Sequence, residues 1–296
     1  MNQILLTNDG SRLRAGWRLL IQTIGSFAVF ACSGIPLFLV YFFFNPESAF
    51  SNELTPDLLL LSVVAETLAF TLSIFLARRF LDKQSIESLG LKVNRQALFD
   101  ILAGIGITFI QMGFIYLVMH SLGWIIFEGF AWEVDSFRRV LTGTLTFFAI
   151  FVLVGWSEEL LSRGYHLQTI ASGLNLFWGV AISSIVFGLL HIGNPGSNWS
   201  AVAGITLAGW FFAFAYLRTK QLWLPIGLHL GWNFSEGVVF GFPVSGLEMY
   251  ALTRIEVTGP ELWTGGPFGP EAGLIVLPSL LVGGLLIYWF TRNRAS

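Results

Sequence analysis

From Leu19 to Phe44 this chain carries no Asp, Glu, Lys or Arg, and comparable charge-poor apolar stretches recur along its length. A stretch of about 18 residues or more with almost no charge is long enough to cross a bilayer as a helix. Backbone groups inside lipid must be satisfied within the protein, which leaves helix bundles and closed barrels. The runs are too long for barrel strands, so the expected fold is all-α, a polytopic transmembrane helix bundle of about eight spans. They are placed near 19–44, 58–77, 101–119, 140–160, 174–192, 200–217, 225–244 and 272–290. Pro36 can kink the first. Over the 296 residues, 54% apolar and 11% charged side chains exclude an ordinary soluble domain. A net charge of −2 gives no electrostatic reason to expect nucleic acid as a partner.

Basic residues orient the bundle. Arg12, Arg14 and Arg18 precede the first span, Arg78, Arg79, Lys83, Lys92 and Arg95 follow the second, and Arg218 and Lys220 follow the sixth. Arg292 and Arg294 close the chain. All fall on one side if both termini are cytoplasmic. The opposite loops hold Arg138, Arg139 and Arg254 among many acids, such as Glu47, Glu53, Glu128, Glu133, Asp135 and Glu256. The chain thus reads as a single integral membrane domain over 1–296, with an amphipathic connector at 80–97 and an irregular external loop at 245–271. The lone Cys32 can form no disulfide within the chain and is expected as a small buried residue.

Polar side chains concentrate in the second half. Glu158 and Glu159 end an apolar run and are followed four residues on by Arg163. On a helix Glu159 and Arg163 share a face and can pair, while Glu158 lies about 100° round. His191 follows Phe187 by one turn, and Asn233 follows His229 by one turn. Ionisable groups at membrane depth are costly and are read as functional. Carboxylates, imidazoles and an amide are also the groups that activate water and hold an oxyanion. Each feature has a bland alternative: a helix-end salt bridge, a packed histidine, or an interhelical His/Asn clamp. Their joint occurrence favours chemistry. Glu66, alone in its span, reads as an interhelical hydrogen bond or a protonated carboxyl. Glu236 shares the Asn233 face and could line a cavity, whereas His120 and His166 are expected solvated at span ends.

The ordered motifs resemble the CPBP family of intramembrane proteases, the CAAX-processing and bacteriocin-processing enzymes also called Abi or type II CAAX endopeptidases. The family pattern E-E-x-x-x-R, F-x-x-x-H, H-x-x-x-N is met by Glu158-Glu159 with Arg163, by Phe187 with His191, and by His229 with Asn233. Ser162 and His166 stand where the family often has bulky apolar residues. The resemblance covers about 140–246, the expected catalytic core. It implies peptide-bond hydrolysis within the membrane, on a membrane-associated protein or peptide. Glu158 would activate water with His191, His229 and Asn233 would hold the water or oxyanion, and Glu159 and Arg163 would brace the site. The resemblance leaves open a zinc ion held by Glu158, His191 and His229 or chemistry without a metal. It also implies a bacterial cell membrane as the location. The alternatives are a non-catalytic membrane binding or bacteriocin-immunity-type protein that keeps the fold and, less favoured, a transporter. Nothing in the sequence specifies an oligomeric state.

For His191 to meet His229, the chain around Gly173 must form a long helical hairpin that returns His191 to the depth of Glu158. The break at Gly193-Asn194-Pro195-Gly196 would then be irregular backbone lining a polar cavity.

Overall fold

In a computed structural model, described over residues 5–7, 12–49 and 54–294, the chain is a helical bundle with one small sheet. Glu53 lies outside the described residues. The helices are α1 (Ala15–Phe44), α2 (Pro56–Leu76), α3 (Arg95–Ser121), α4 (Phe137–Glu159), α5 (Leu167–Gly173), α6 (Leu176–Leu190), α7 (Trp199–Thr219) and α8 (Trp223–Asn233), followed by the short α9 (Glu261–Thr264) and by α10 (Val276–Thr291). Side chains placed before the apolar runs start several of them. Thr55, Asn94, Ser136, Asn175 and Asn198 each accept a first-turn backbone N–H, of Leu58, Ala97, Arg139, Trp178 and Ala201.

Each expected span contains a helix, but among the described residues only five helical segments are long and apolar enough to cross a membrane. They are Ala15–Phe44, Pro56–Leu81, Arg95–Ser121, Phe137–Gly173 and Trp199–Thr219. The helices α6, α10 and α8 have 15, 16 and 11 residues. Helix α8 continues without a break into a π-helical turn over Phe234–Val239. The 245–271 loop also departs from expectation. Its Thr253–Val257 (β2) pairs antiparallel with Ile125–Phe130 (β1), with a bulge between Phe127 and Gly129.

The helix through α4 and α5 is continuous over Phe137–Gly173, widened to π geometry at Leu160–His166. At 37 residues it is roughly 55 Å long, well beyond an apolar core of about 30 Å. Helix α6 folds back along it, with Gly179 against Ala171 and the Leu167 carbonyl. This is the hairpin required above. His166 therefore does not end a helix in solvent. It sits half-buried inside the π turn, while His120 is exposed and stacks on Tyr116 at 6.1 Å.

Helix α1 is inside out. It buries Arg18, Gln22, Ser26 and Gly34, an i, i+4 stripe, and leaves its apolar faces outward. Ser26 Oγ lies 2.8 Å from Ser73 Oγ of α2, and Gln22 donates to both hydroxyls. Lipid accepts apolar side chains as readily as a core does, so the polar residues turn inward. Cys32 lies off that stripe and is exposed rather than buried.

Helix α8 is the central pillar, buried from Leu224 to Asn233. Small residues let its neighbours approach closely. An added Cβ on Gly227 would stand 2.4 Å from the Ile101 carbonyl of α3, and one on Gly231 2.4 Å from Thr108 Oγ1. Gly155 of α4 approaches the backbone of Ile226 and Leu230. These contacts set the rotation of α8 and turn His229 and Asn233 toward a cavity.

Candidate active site

A cavity of about 350 Å³ lies between α2, α4, α6, α7 and α8. Glu158, His191, His229 and Asn233 all line it. Glu159 and Arg163 do not. The step of about 100° between neighbours on a helix separates the two glutamates. Glu158 faces the cavity, and Glu159 is fully buried behind it.

Behind the cavity, Glu159 Oε1 accepts hydrogen bonds from Arg163 Nη1 and from His229 Nδ1, each at 2.9 Å. Arg163 also donates to the Gly209 carbonyl of α7 at 3.0 Å. Its guanidinium lies 4.4 Å from the Phe187 ring centre and 5.1 Å from that of Phe212. The His229 imidazole stacks on Phe212 at 5.1 Å, and the Phe187 ring meets both imidazoles edge to face. Phe187 therefore packs three site groups at once, a physical reason for an aromatic residue one turn before His191. Phe212 belongs to no motif, and only packing reveals it.

In front, Glu158 Oε2 lies 3.9 Å from His191 Nε2 and 3.8 Å from His229 Nε2. These are too long for direct hydrogen bonds. The oxygen is buried without a hydrogen-bond partner, and such gaps suit a bridging water. Each imidazole has its other nitrogen committed. His191 Nδ1 donates to the Phe187 carbonyl at 2.8 Å, and His229 Nδ1 donates to Glu159. A carbonyl or a carboxylate only accepts, so both Nδ1 atoms carry protons. Each Nε2 then presents a lone pair toward Glu158, or a proton when the ring is cationic.

A metal would find the donors it needs here, two Nε2 atoms and a carboxylate oxygen, with both Nδ1–H groups anchored to acceptors. Zinc bonds of about 2.0–2.1 Å set tetrahedral ligand separations of about 3.4 Å. The separations here are wider by a few tenths of an ångström, and among the described residues no three His, Cys, Asp or Glu side chains form a ready metal cluster. The donor set fits zinc in kind and needs a small contraction to fit it in distance.

The rest of the cavity wall departs from expectation at Glu236 and Glu271. Glu66 of α2 lines the cavity, and among the described residues it makes no interhelical hydrogen bond, which leaves the other expected reading, a protonated carboxyl. Glu236 does not line the cavity. The chain widens to π geometry from Phe234, which rotates Glu236 off the Asn233 face to a fully buried position against Gly269. Glu271 of the 245–271 loop does reach the cavity, held by Ser245 N and Oγ at 3.0 and 2.6 Å. Burial raises its carboxyl above the ordinary range, opposed by the Ser245 hydrogen bonds and by both imidazoles. The break at residues 193–196 packs against the same loop, with Asn194 Nδ2 donating to the Ser245 carbonyl at 3.1 Å.

Residues 140–235 match the family model described as "Type II CAAX prenyl endopeptidase Rce1-like". This segment holds all seven residues of the three motifs. Over it, the chain is similar to the CPBP family that its motifs resemble. A relative in Bacillus subtilis (strain 168), named "Putative membrane peptidase YdiL", is 34% identical over 76 residues, 26% of this chain. The match spans 29% of that protein's length. No solved structure matches the chain significantly. The long apolar helices and the likeness to a membrane protein support an integral membrane protein.

Proposed function

We propose that this protein is an intramembrane endopeptidase that hydrolyses a peptide bond of a membrane-associated protein or peptide. The observation that carries the reading is the convergence of Glu158 Oε2 with the Nε2 atoms of His191 and His229 on an apolar-walled cavity, within the segment that matches the family. A water in that gap gives its proton to Glu158, the oxygen attacks the peptide carbonyl, and Glu158 returns the proton to the leaving nitrogen as the C–N bond breaks. His191 orients the water. Asn233 supplies amide N–H groups for the oxyanion, and His229 donates from Nε2 when its ring is cationic. Glu159 and Arg163 hold His229 in place from behind.

If zinc is used, Glu158, His191 and His229 would hold it, and it would acidify the attacking water. The substrate is an apolar segment at membrane depth, and the site belongs in a bacterial cell membrane with both termini cytoplasmic. The rival reading, a binding or immunity-type protein without catalysis, has no use for an unpartnered carboxylate facing two imidazoles.

The test is cleavage of single-span peptides in liposomes by the purified protein, with products read by mass spectrometry and zinc content measured on the same sample. Glu158→Gln keeps the shape and removes the base, so cleavage is expected to fall about 10²–10⁴-fold with unchanged thermal stability. Cleavage at the original rate by this variant would overturn the role of Glu158.

A further inference from the structure

The face of α2 toward the cavity is Leu59, Val63, Glu66 and Phe70, spaced by four, three and four residues. It is one helical stripe with a single polar member. A carboxyl at membrane depth normally has a partner within the fold. Among the described residues Glu66 has neither an ion-pair nor a hydrogen-bond partner, and its carboxyl is not sealed away. The other cavity carboxyls are accounted for: Glu158 faces two imidazoles, and Glu271 is held by Ser245. The partner that Glu66 lacks is therefore a group the cavity receives.

The helix contacts fix where that group lies. Thr67 Oγ1 donates to the Leu153 carbonyl at 3.5 Å, and Trp156 Nε1 donates to Thr71 Oγ1 at 2.9 Å, so α2 and α4 run side by side here. By the same pairing Glu66 is level with residues 151–152, and Glu158 lies about six to seven residues further, roughly 9–10 Å along the axis. An extended chain rises about 3.3 Å per residue, so the gap corresponds to about three residues of substrate.

We propose that Glu66 is a substrate-binding residue whose carboxyl accepts a backbone N–H of the bound peptide, about three residues from the bond that is cut. A peptide unwound in an apolar cavity loses its internal hydrogen bonds and must find acceptors for its exposed amides. On the α2 wall only Glu66 offers one. The ligand is thus an extended peptide segment recognised through its backbone, which lets the cavity accept varied apolar side chains. The protease reading enters only in calling the ligand a substrate.

The experiment is a double-mutant cycle on binding, with a dye-labelled single-span Leu/Ala/Gly peptide added to the full-length protein in nanodiscs. A parallel series carries one backbone N-methyl group at each successive position, and cleavage is read separately. Glu66→Leu removes a polar group from an apolar wall, so the melting temperature is expected to stay or rise. The wild type is expected to lose affinity about tenfold when one particular amide is methylated. Glu66→Leu should bind the parent peptide about tenfold more weakly and ignore that methyl group. Glu66→Gln keeps an acceptor and should stay within about threefold of wild type. Equal methylation penalties in wild type and Glu66→Leu, or wild-type affinity in Glu66→Leu, would overturn the contact. A peptide that is cut without any methylation penalty overturns the contact and leaves the protease reading standing. One that shows the full binding pattern yet is never cut overturns the protease reading and leaves the contact standing.

Discussion

The molecule buries two arginine–carboxylate networks, and they are built on opposite plans. At the N-terminal end of α1, Arg18 and Arg78 share Asp82. Arg78 reaches it at 3.2 Å, and the Arg18 pair is in direct contact. Arg18 also donates to Ser172, while Arg78 donates to Ser88 and to Gln168. Those bonds tie α1, the connector after α2 and α5 together, and no group in them faces the cavity. Under the cavity a single arginine, Arg163, serves Glu159, and the same carboxylate oxygen steers His229. The first network is redundant in cations, and the second is redundant in nothing. A network that only joins helices can share its load, whereas one that aims an imidazole needs a unique geometry.

The largest effect expected from this contrast is at Arg163. Arg163→Ala leaves Glu159 buried with only an imidazole beside it, at a cost of about 3–5 kcal/mol. It should also lower activity per folded molecule, because His229 loses its anchor. Glu159→Ala combined with Arg163→Ala should recover part of the stability. Simple addition of the two losses in a melting experiment would show that they are not partners.

Arg18→Ala should cost less, about 1.5–3 kcal/mol for a charge-assisted hydrogen bond, because Arg78 stays on Asp82. Its activity per folded molecule should match wild type. A selective loss of kcat in that variant would break the distinction between the two networks.

The smallest effect is at Phe212. Phe212→Leu removes one face of the Arg163 sandwich and the His229 stack, an expected loss of about 0.5–2 kcal/mol. The loss should shrink when measured in an Arg163→Ala background, since one of its two stacking partners is gone and only the His229 stack remains. An undiminished loss there would show that Phe212 acts by packing alone.

The sequence rule that flanking arginines mark the cytoplasmic side says nothing of their burial. Arg18 and Arg78 fit that rule by position, yet each is at most 6% exposed. A cation beside a span can return to the protein when a carboxylate waits there. The rule reads loop charge, whereas burial depends on which helices meet.

What the sequence determined by itself is local or periodic. Uncharged length implies spans, and the four-residue spacings in Glu159–Arg163, Phe187–His191 and His229–Asn233 each put two side chains on one face. The step from Glu158 to Glu159 separates a cavity residue from a buried one. Even the depth of His191 follows from counting residues about Gly173. Tertiary structure alone decided the rest. Glu66 meets the cavity because Thr67 and Thr71 bond α2 to α4, and Glu271 arrives from a loop that has no period to read. Phe212 matters because α7 lays it over Arg163, and Glu236 is lost from the wall because the helix widens one residue after Asn233. Cys32 faces outward because α1 spends its inner stripe on polar residues. Helical periodicity says which residues travel together around an axis, but the rotation of that axis is set by the neighbours it packs against.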